Sequence, residues 1–295
     1  MRKSNSSAHD DNGIGAVIFD WAGTAVIFDW AGTIVDFGCF ASAVAIVETF
    51  AHRGVPLTMA QARGPMGLEK REHIRRLLMD EGLRGLWREA TGTDPGPQEV
   101  DSLYEELEPR LVAAVTRYSR LVPGTRELAD ELRCWGMKIG STTGYSRSVM
   151  DILMAETARQ GFTADAVVCP SDVPAGRPFP WMCFLNAIKL QVCPPRRIVK
   201  IGDTPADIME GVNAGMWTIG VTLSGNELGL SLEEAEGLAW EDRVGRVQEA
   251  EKTLRAAGAH YATESVASCR DVLARIEERI MRGEQPSREK SHDHS

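Results

Sequence analysis

Nine residues occur twice in immediate succession: residues 16–24 and residues 25–33 both read AVIFDWAGT. The unit is an apolar run that stops at an aspartate and turns at Gly-Thr. A run with no polar alternation suits a strand buried on both faces of a parallel sheet, and it presents its aspartate at the carboxyl edge of that sheet. A central strand position has room for one copy, so Asp20 and Asp29 compete for it. The second copy continues as D-W-A-G-T-I-V-D, ending in Asp36, whereas the first runs into Ala25-Val26-Ile27 and has no acid seven residues on. Asp29 is therefore the candidate reactive aspartate. Residues 16–24 should lie outside the sheet as an arm or loop, where Val17-Ile18-Phe19 would favour pairing with another sheet edge.

After Asp29 the periodicity turns helical for about ninety residues. Phe40, Val44, Val47 and Phe50 share a face, and Gly54 stands where that helix should stop. A second helix should start near Thr58 and break at Gly64-Pro65-Met66-Gly67. A third should run from Leu68 to Met79, and a long amphipathic one from Val100 to Tyr118, beyond the turn cluster Asp94-Pro95-Gly96-Pro97. From Pro123 short apolar runs alternate with helical stretches. Strands are expected at Met137 to Ser141, Ala166 to Cys169, Ile198 to Ile201 and Trp217 to Val221, the last closing the series. This alternation predicts an α/β fold, a doubly wound, Rossmann-like parallel sheet. Residues 38–120 read as an α-helical cap domain inserted into a core of residues 16–37 and 121–281, with polar tails at 1–15 and 282–295.

A net charge of −9 argues against a nucleic-acid surface. No apolar leader or spanning stretch is visible. The six cysteines, Cys39, Cys134, Cys169, Cys183, Cys193 and Cys269, form no C-x-x-C pair, which fits buried thiols in a reduced cytoplasm better than a disulfide framework.

Three strand ends carry polar groups, Asp29, Thr143 and Asp203, and the loop Gly176-Arg177-Pro178 adds a guanidinium. Ligands of open α/β sheets bind at this edge. Two facing carboxylates need a hard cation between them, and Mg2+ with oxygen ligands meets that need. Thr143 and Arg177 suit phosphoryl oxygens. Asp207 either holds a metal-bound water or caps the helix that begins beside it.

The strand-end motifs D-W-A-G-T-I-V-D, S-T-T-G, G-R-P and G-D-T-P-A-D resemble the four motifs of the haloacid dehalogenase superfamily, most of whose members are Mg2+-dependent phosphotransferases with an aspartyl-phosphate intermediate. Within it, residues of roughly 25 to 275 are similar to the phosphonoacetaldehyde hydrolase family. Ala31 stands where phosphatases of the superfamily carry an acid, Arg177 where most relatives carry lysine, and G-P-M-G-L-E-K-R-E-H matches the family segment bearing a Schiff-base lysine, here Lys70. The departure from the family is the second copy of the first motif.

The resemblance implies hydrolysis of phosphonoacetaldehyde to acetaldehyde and phosphate, in the breakdown of 2-aminoethylphosphonate, by a cytoplasmic homodimer paired through its cap. It implies Mg2+ held by Asp29, Asp203 and the Ala31 carbonyl, with Gly67 and Met66 beside the substrate and Cys39 and Tyr145 behind it. Lys70 must be neutral to attack an aldehyde. A helix N-terminus, neighbouring Arg71 and desolvation should all lower its pKa, and His73, three residues on, can bond the amine or relay a proton. Rival expectations are a phosphate-ester phosphatase or mutase, a haloacid dehalogenase, and a non-catalytic relative that binds a phosphorylated ligand.

Overall fold

The second nonapeptide copy supplies the central strand. In a computed structural model, which describes residues 23–287, Ala25–Phe28 form β1, and all four residues are buried. β1 lies between β2 (Lys138–Thr142) and β4 (Ile198–Gly202), parallel to both. β3 (Ala166–Val168) flanks β2, and β5 (Trp217–Val221) flanks β4, so the six-stranded parallel sheet has the order β3-β2-β1-β4-β5-β6. Ala25 and Ile27 pack into one hydrophobic cluster and Val26 and Phe28 into another. That alternation is why the run is apolar at every position: each face of the strand meets its own layer of helices. The doubly wound fold inferred from the strand–helix alternation is the one observed.

The sheet does not close at β5. β6 (Tyr261–Thr263) pairs parallel to it. β6 is three half-buried residues, Tyr-Ala-Thr, at the sheet edge, too short to leave a periodic signal. Of the first nonapeptide, residues 16–22, with Asp20, lie outside the described residues, as do the tail at 1–15 and residues 288–295. Its last residue, Thr24, is buried, and its carbonyl accepts from Lys138 N at 3.1 Å, so it prolongs the β1–β2 ladder.

The first five of the six helices between β1 and β2 in the chain form one block: α1 (Phe40–His52), α2 (Met59–Arg63), α3 (Lys70–Met79), α4 (Glu81–Thr91) and α5 (Pro97–Arg117). Asp36 begins this block. Its carboxylate accepts from the backbone N–H groups of Phe40 at 2.9 Å and Ala41 at 2.8 Å, satisfying two free donors of α1. An acid seven residues after Asp29 therefore starts the first helix. Helix α4 went unseen in the sequence because its eleven residues carry only two buried anchors, Leu83 and Trp87. α3 begins at Lys70 rather than Leu68, because Gly67 takes a left-handed conformation and Leu68 N turns back to Pro65 O. α5 packs against α1 and α3 and also against α7 (Arg147–Arg159) of the sheet layers. Of the remaining helices, α8 (Trp181–Leu190) and α9 (Pro205–Asn213) cover one face of the sheet and matter to the site. α6 (Thr125–Cys134), α10 (Leu232–Glu236), α11 (Trp240–Ala256) and α12 (Cys269–Met281) complete the layers. Among the described residues no helix is long and apolar enough to cross a membrane, and all six cysteines are free thiols.

Candidate active site

The chain passes from β1 to β2 and β3 on one side and returns to β4 on the other, so the strand order reverses between β1 and β4. A crevice must open at the carboxyl ends of those two strands. Asp29 follows β1 and Asp203 follows β4, and the two ends are tied by Asp29 N donating to Ile201 O at 2.8 Å. Asp29, Ala31, Cys39, Met66, Gly67, Lys70, Thr143, Tyr145, Arg177 and Asp203 line one narrow pocket of about 20 Å3. Ten of the twelve sequence-derived candidates thus meet in one place. The other two, His73 and Asp207, stand behind that wall.

Carboxylate oxygens of Asp29, Asp203 and Asp207 fall within 4.8 Å of one another. Burial raises the pKa of Asp203 far above the usual range, and the charges of Asp29 and Asp207 add to it. Asp29 is also raised, first by burial, with Arg177 opposing. Asp203 is held in place by Asn226 N donating to Oδ2 at 2.8 Å, by Cys39 Sγ at 3.2 Å and by Thr33 Oγ1 at 3.4 Å. Two buried carboxylates that destabilise one another's charge, all-oxygen in character, fit a hard divalent cation. Asp207 is differently placed. It completes the capping box of α9 by accepting from Thr204 N at 3.3 Å and Thr204 Oγ1 at 2.6 Å, and it pairs with Lys200 Nζ at 2.9 Å and Arg177 NH1 at 3.0 Å. Despite burial these two cations hold its pKa below the usual value. Asp207 thus stands both at the start of α9 and in the carboxylate cluster that could hold a metal ion.

Arg177 reaches from the loop before α8 to the nucleophile candidate. Its NH2 donates to Asp29 Oδ1 at 2.7 Å and to Thr142 Oγ1 at 2.8 Å, and its Nε to Glu210 Oε2 at 3.0 Å. The strand-end threonine it binds is Thr142. Thr143 instead accepts from Tyr145 N at 3.1 Å, which leaves its hydroxyl proton free to donate into the cavity.

Lys70 is the first residue of α3 and is almost wholly buried. Burial pushes its ammonium down to about 8. Asp29 and Asp203 oppose the shift and Arg177 assists it. Arg71, expected to assist, points outward and pairs with Asp101 at 2.6 Å on the surface. The helix turns Arg71 about 100° away from Lys70, so Arg177 is the cation that the amine meets. Tyr145 lies under the amine, with Nζ 5.1 Å from the ring centroid, and its hydroxyl accepts from Ser42 Oγ at 3.1 Å. His73 is fully buried, and burial, aided by the Lys70 charge, pushes its pKa down to about 3. Its ring is therefore neutral. Nε2–H donates to Ala62 O at 2.8 Å, and Nδ1, buried and without a hydrogen bond, is left as an acceptor. Gly67 is required where the helical block meets the core: a Cβ there would stand 2.2 Å from Thr204 Oγ1.

Sequence reasoning missed Thr142, Lys200, Glu210, Ser42 and Asn226. Only Lys200 left a signal, a lysine inside the apolar run Ile198-Val199-Lys200-Ile201.

Comparison with known proteins agrees with this geometry. The family model for haloacid dehalogenase-like hydrolases matches residues 24–215. Phosphonoacetaldehyde hydrolase of Nitratidesulfovibrio vulgaris is 45% identical over 94% of this chain and 95% of its own length, and that of Bacillus cytotoxicus is 46% identical over 90% and 97%. The crystal structure of a phosphonoacetaldehyde hydrolase-like protein from Oleispira antarctica covers 93% of this chain and all of its own, with a TM-score of 0.88 and 38% identity. The fold and the strand-end site define a haloacid dehalogenase-like hydrolase, and within that class the chain belongs to the phosphonoacetaldehyde hydrolase family.

Proposed function

We propose that this enzyme cleaves the carbon–phosphorus bond of phosphonoacetaldehyde, giving acetaldehyde and phosphate. One observation carries the reading: a buried lysine with its pKa lowered to about 8 shares a narrow pocket with a strand-end aspartate and an arginine. Expelling a carbanion from phosphorus needs an electron sink, and an imine of Lys70 provides it. The neutral amine attacks the aldehyde and water leaves, forming a protonated imine. One carboxylate oxygen of Asp29 attacks phosphorus while Arg177 holds the other. The electron pair of the breaking bond moves into the carbon–carbon bond of an enamine. Protonation at carbon and hydrolysis of the imine release acetaldehyde and restore Lys70, and a second water cleaves the aspartyl phosphate. The enamine departs without needing a proton at its leaving atom, which fits Ala31 in place of an acid.

The neutral ring of His73 supports an acceptor role for Nδ1, which can take a hydrogen bond from the amine, while the proton that the amine sheds leaves with the departing water. Thr143, Arg177 and Gly67 hold the phosphonyl oxygens, Met66 walls the aldehyde, and Cys39 and Tyr145 support Asp203 and Lys70. Asp29, Asp203 and the Ala31 carbonyl would hold Mg2+, which when bound neutralises the charge gathered between nucleophile and phosphonyl group. The helices of residues 38–120 act as a cap over the sheet edge. Pairing of two copies through the cap, work in the cytoplasm and a place in 2-aminoethylphosphonate breakdown complete the reading.

Borohydride added with phosphonoacetaldehyde tests it. The label should settle on the peptide containing Lys70, and release of acetaldehyde and phosphate should stop. Turnover that survives in Lys70→Arg would end it, because a guanidinium cannot form the imine.

A further inference from the structure

The guanidinium of Arg177 has five N–H donors, and the fold occupies every nitrogen. Nε goes to Glu210, NH1 to Asp207 and, at 3.3 Å, to the carbonyl of Gly67, and NH2 to Asp29 and Thr142. Behind it lies a closed ring of buried groups. Thr142 Oγ1 donates to Glu210 Oε2 at 2.9 Å and accepts from Lys200 Nζ at 2.9 Å, and Lys200 Nζ also pairs with Asp207 at 2.9 Å. Lys200 stands on β4 beside Ile27 of β1, and none of its surface reaches solvent. Such a charge persists in the sheet only because it is paired. Two cations, Arg177 and Lys200, offset two acids, Asp207 and Glu210, so the ring is neutral. Asp203 stays outside this balance, and Asp29 meets it only through Arg177.

From this we infer that Glu210 and Lys200 are positioning residues for carbon–phosphorus cleavage. Glu210 grips the Nε edge and fixes the plane of Arg177. Lys200 fixes Asp207 and Thr142 from behind, and these two in turn hold NH1 and NH2 of Arg177. The opposite edge of Arg177 is then aimed at Asp29. The weakest of its contacts, to Gly67 O on the loop leading to Lys70, is the one a phosphonyl oxygen can replace. Neither residue touches the cavity, and their effect runs wholly through Arg177.

This inference rests on the Schiff-base reading above, and the two are separable because imine formation needs Lys70 but not an aimed Arg177. Glu210→Gln keeps the size of the side chain and removes its charge. With Mg2+ and phosphonoacetaldehyde, it should still be labelled at Lys70 by borohydride, with KM within a few-fold of wild type. Its kcat for phosphate release should fall roughly 100-fold, the scale of a misplaced reacting group. Glu210→Asp should recover part of the loss. A Glu210→Gln enzyme with wild-type kcat overturns the inference. So does a folded variant that loses labelling and phosphate release together, since that marks collapse of the whole cavity. A wild-type enzyme that releases phosphate without ever being labelled removes the imine and leaves the kcat effect of Glu210→Gln to judge the positioning role. If Glu210→Gln does not fold, Thr142→Val breaks the same ring with little change in shape, and the same split between kcat and KM decides.

Discussion

Lys70 links stability to catalysis in a way that can be measured. Taking the ammonium out of water lowers its pKa from 10.5 to about 8. At pH 7 the neutral fraction rises from about 0.03% for a solvated lysine to about 10%, a gain of roughly 300-fold in nucleophilic amine. The same shift costs about 3 kcal/mol of folding free energy when the folded chain must carry the charge. The sign follows from proton counts. Between pH 8 and 10.5 the unfolded lysine holds a proton that the folded one has lost, so stability rises with pH across that window. Below pH 8 both states are protonated and the full cost is present. Lys70→Met should therefore abolish turnover and yet be more stable than wild type at pH 7, by up to about 3 kcal/mol. That gap should shrink by about 2 kcal/mol at pH 9.5, and denaturant melts at the two pH values measure it directly. In parallel, the rate of borohydride labelling in wild type should climb about tenfold per pH unit and level near pH 8. A labelling midpoint at pH 10 or above, or a Lys70→Met variant less stable than wild type at pH 7, would refute the reasoning.

Three further outcomes are expected. Asp29→Asn should eliminate phosphate release while Asp20→Asn leaves it nearly unchanged, because Asp29 is the copy bound to Arg177; the reverse pattern would move the first motif back by nine residues. Asp203→Asn relieves repulsion with Asp29, so without metal it should melt above wild type, whereas only wild type should gain stability on adding Mg2+; equal Mg2+ shifts in both would remove Asp203 from the cation site. Gly67→Ala must accommodate a Cβ 2.2 Å from Thr204 Oγ1 at a backbone φ of +86°, so the helical block should seat poorly and kcat should fall at least ~10-fold in a folded protein, as followed by phosphate release.

The amino-acid sequence by itself determined five of the six strands and the groups at their ends. Those are local signals: an unbroken apolar run marks a strand buried on both faces, and a Gly-rich turn after it exposes the last polar residue. It also separated the two nonapeptides, since Asp36 follows only one of them, and Asp36 caps α1. Tertiary structure alone decided the electrostatics. That Arg71 faces solvent while Arg177 meets Lys70 depends on where α3 docks. That His73 is neutral depends on its burial, and that Nδ1 is its acceptor depends on Ala62, eleven residues away, which takes the Nε2 proton. The Lys200–Glu210–Thr142 ring joins β4, α9 and β2, segments as far as 68 residues apart in the chain. A charge in a strand pattern looks like an interruption until its partners are packed against it, because the energy that keeps it there lies in contacts that no spacing along the chain encodes.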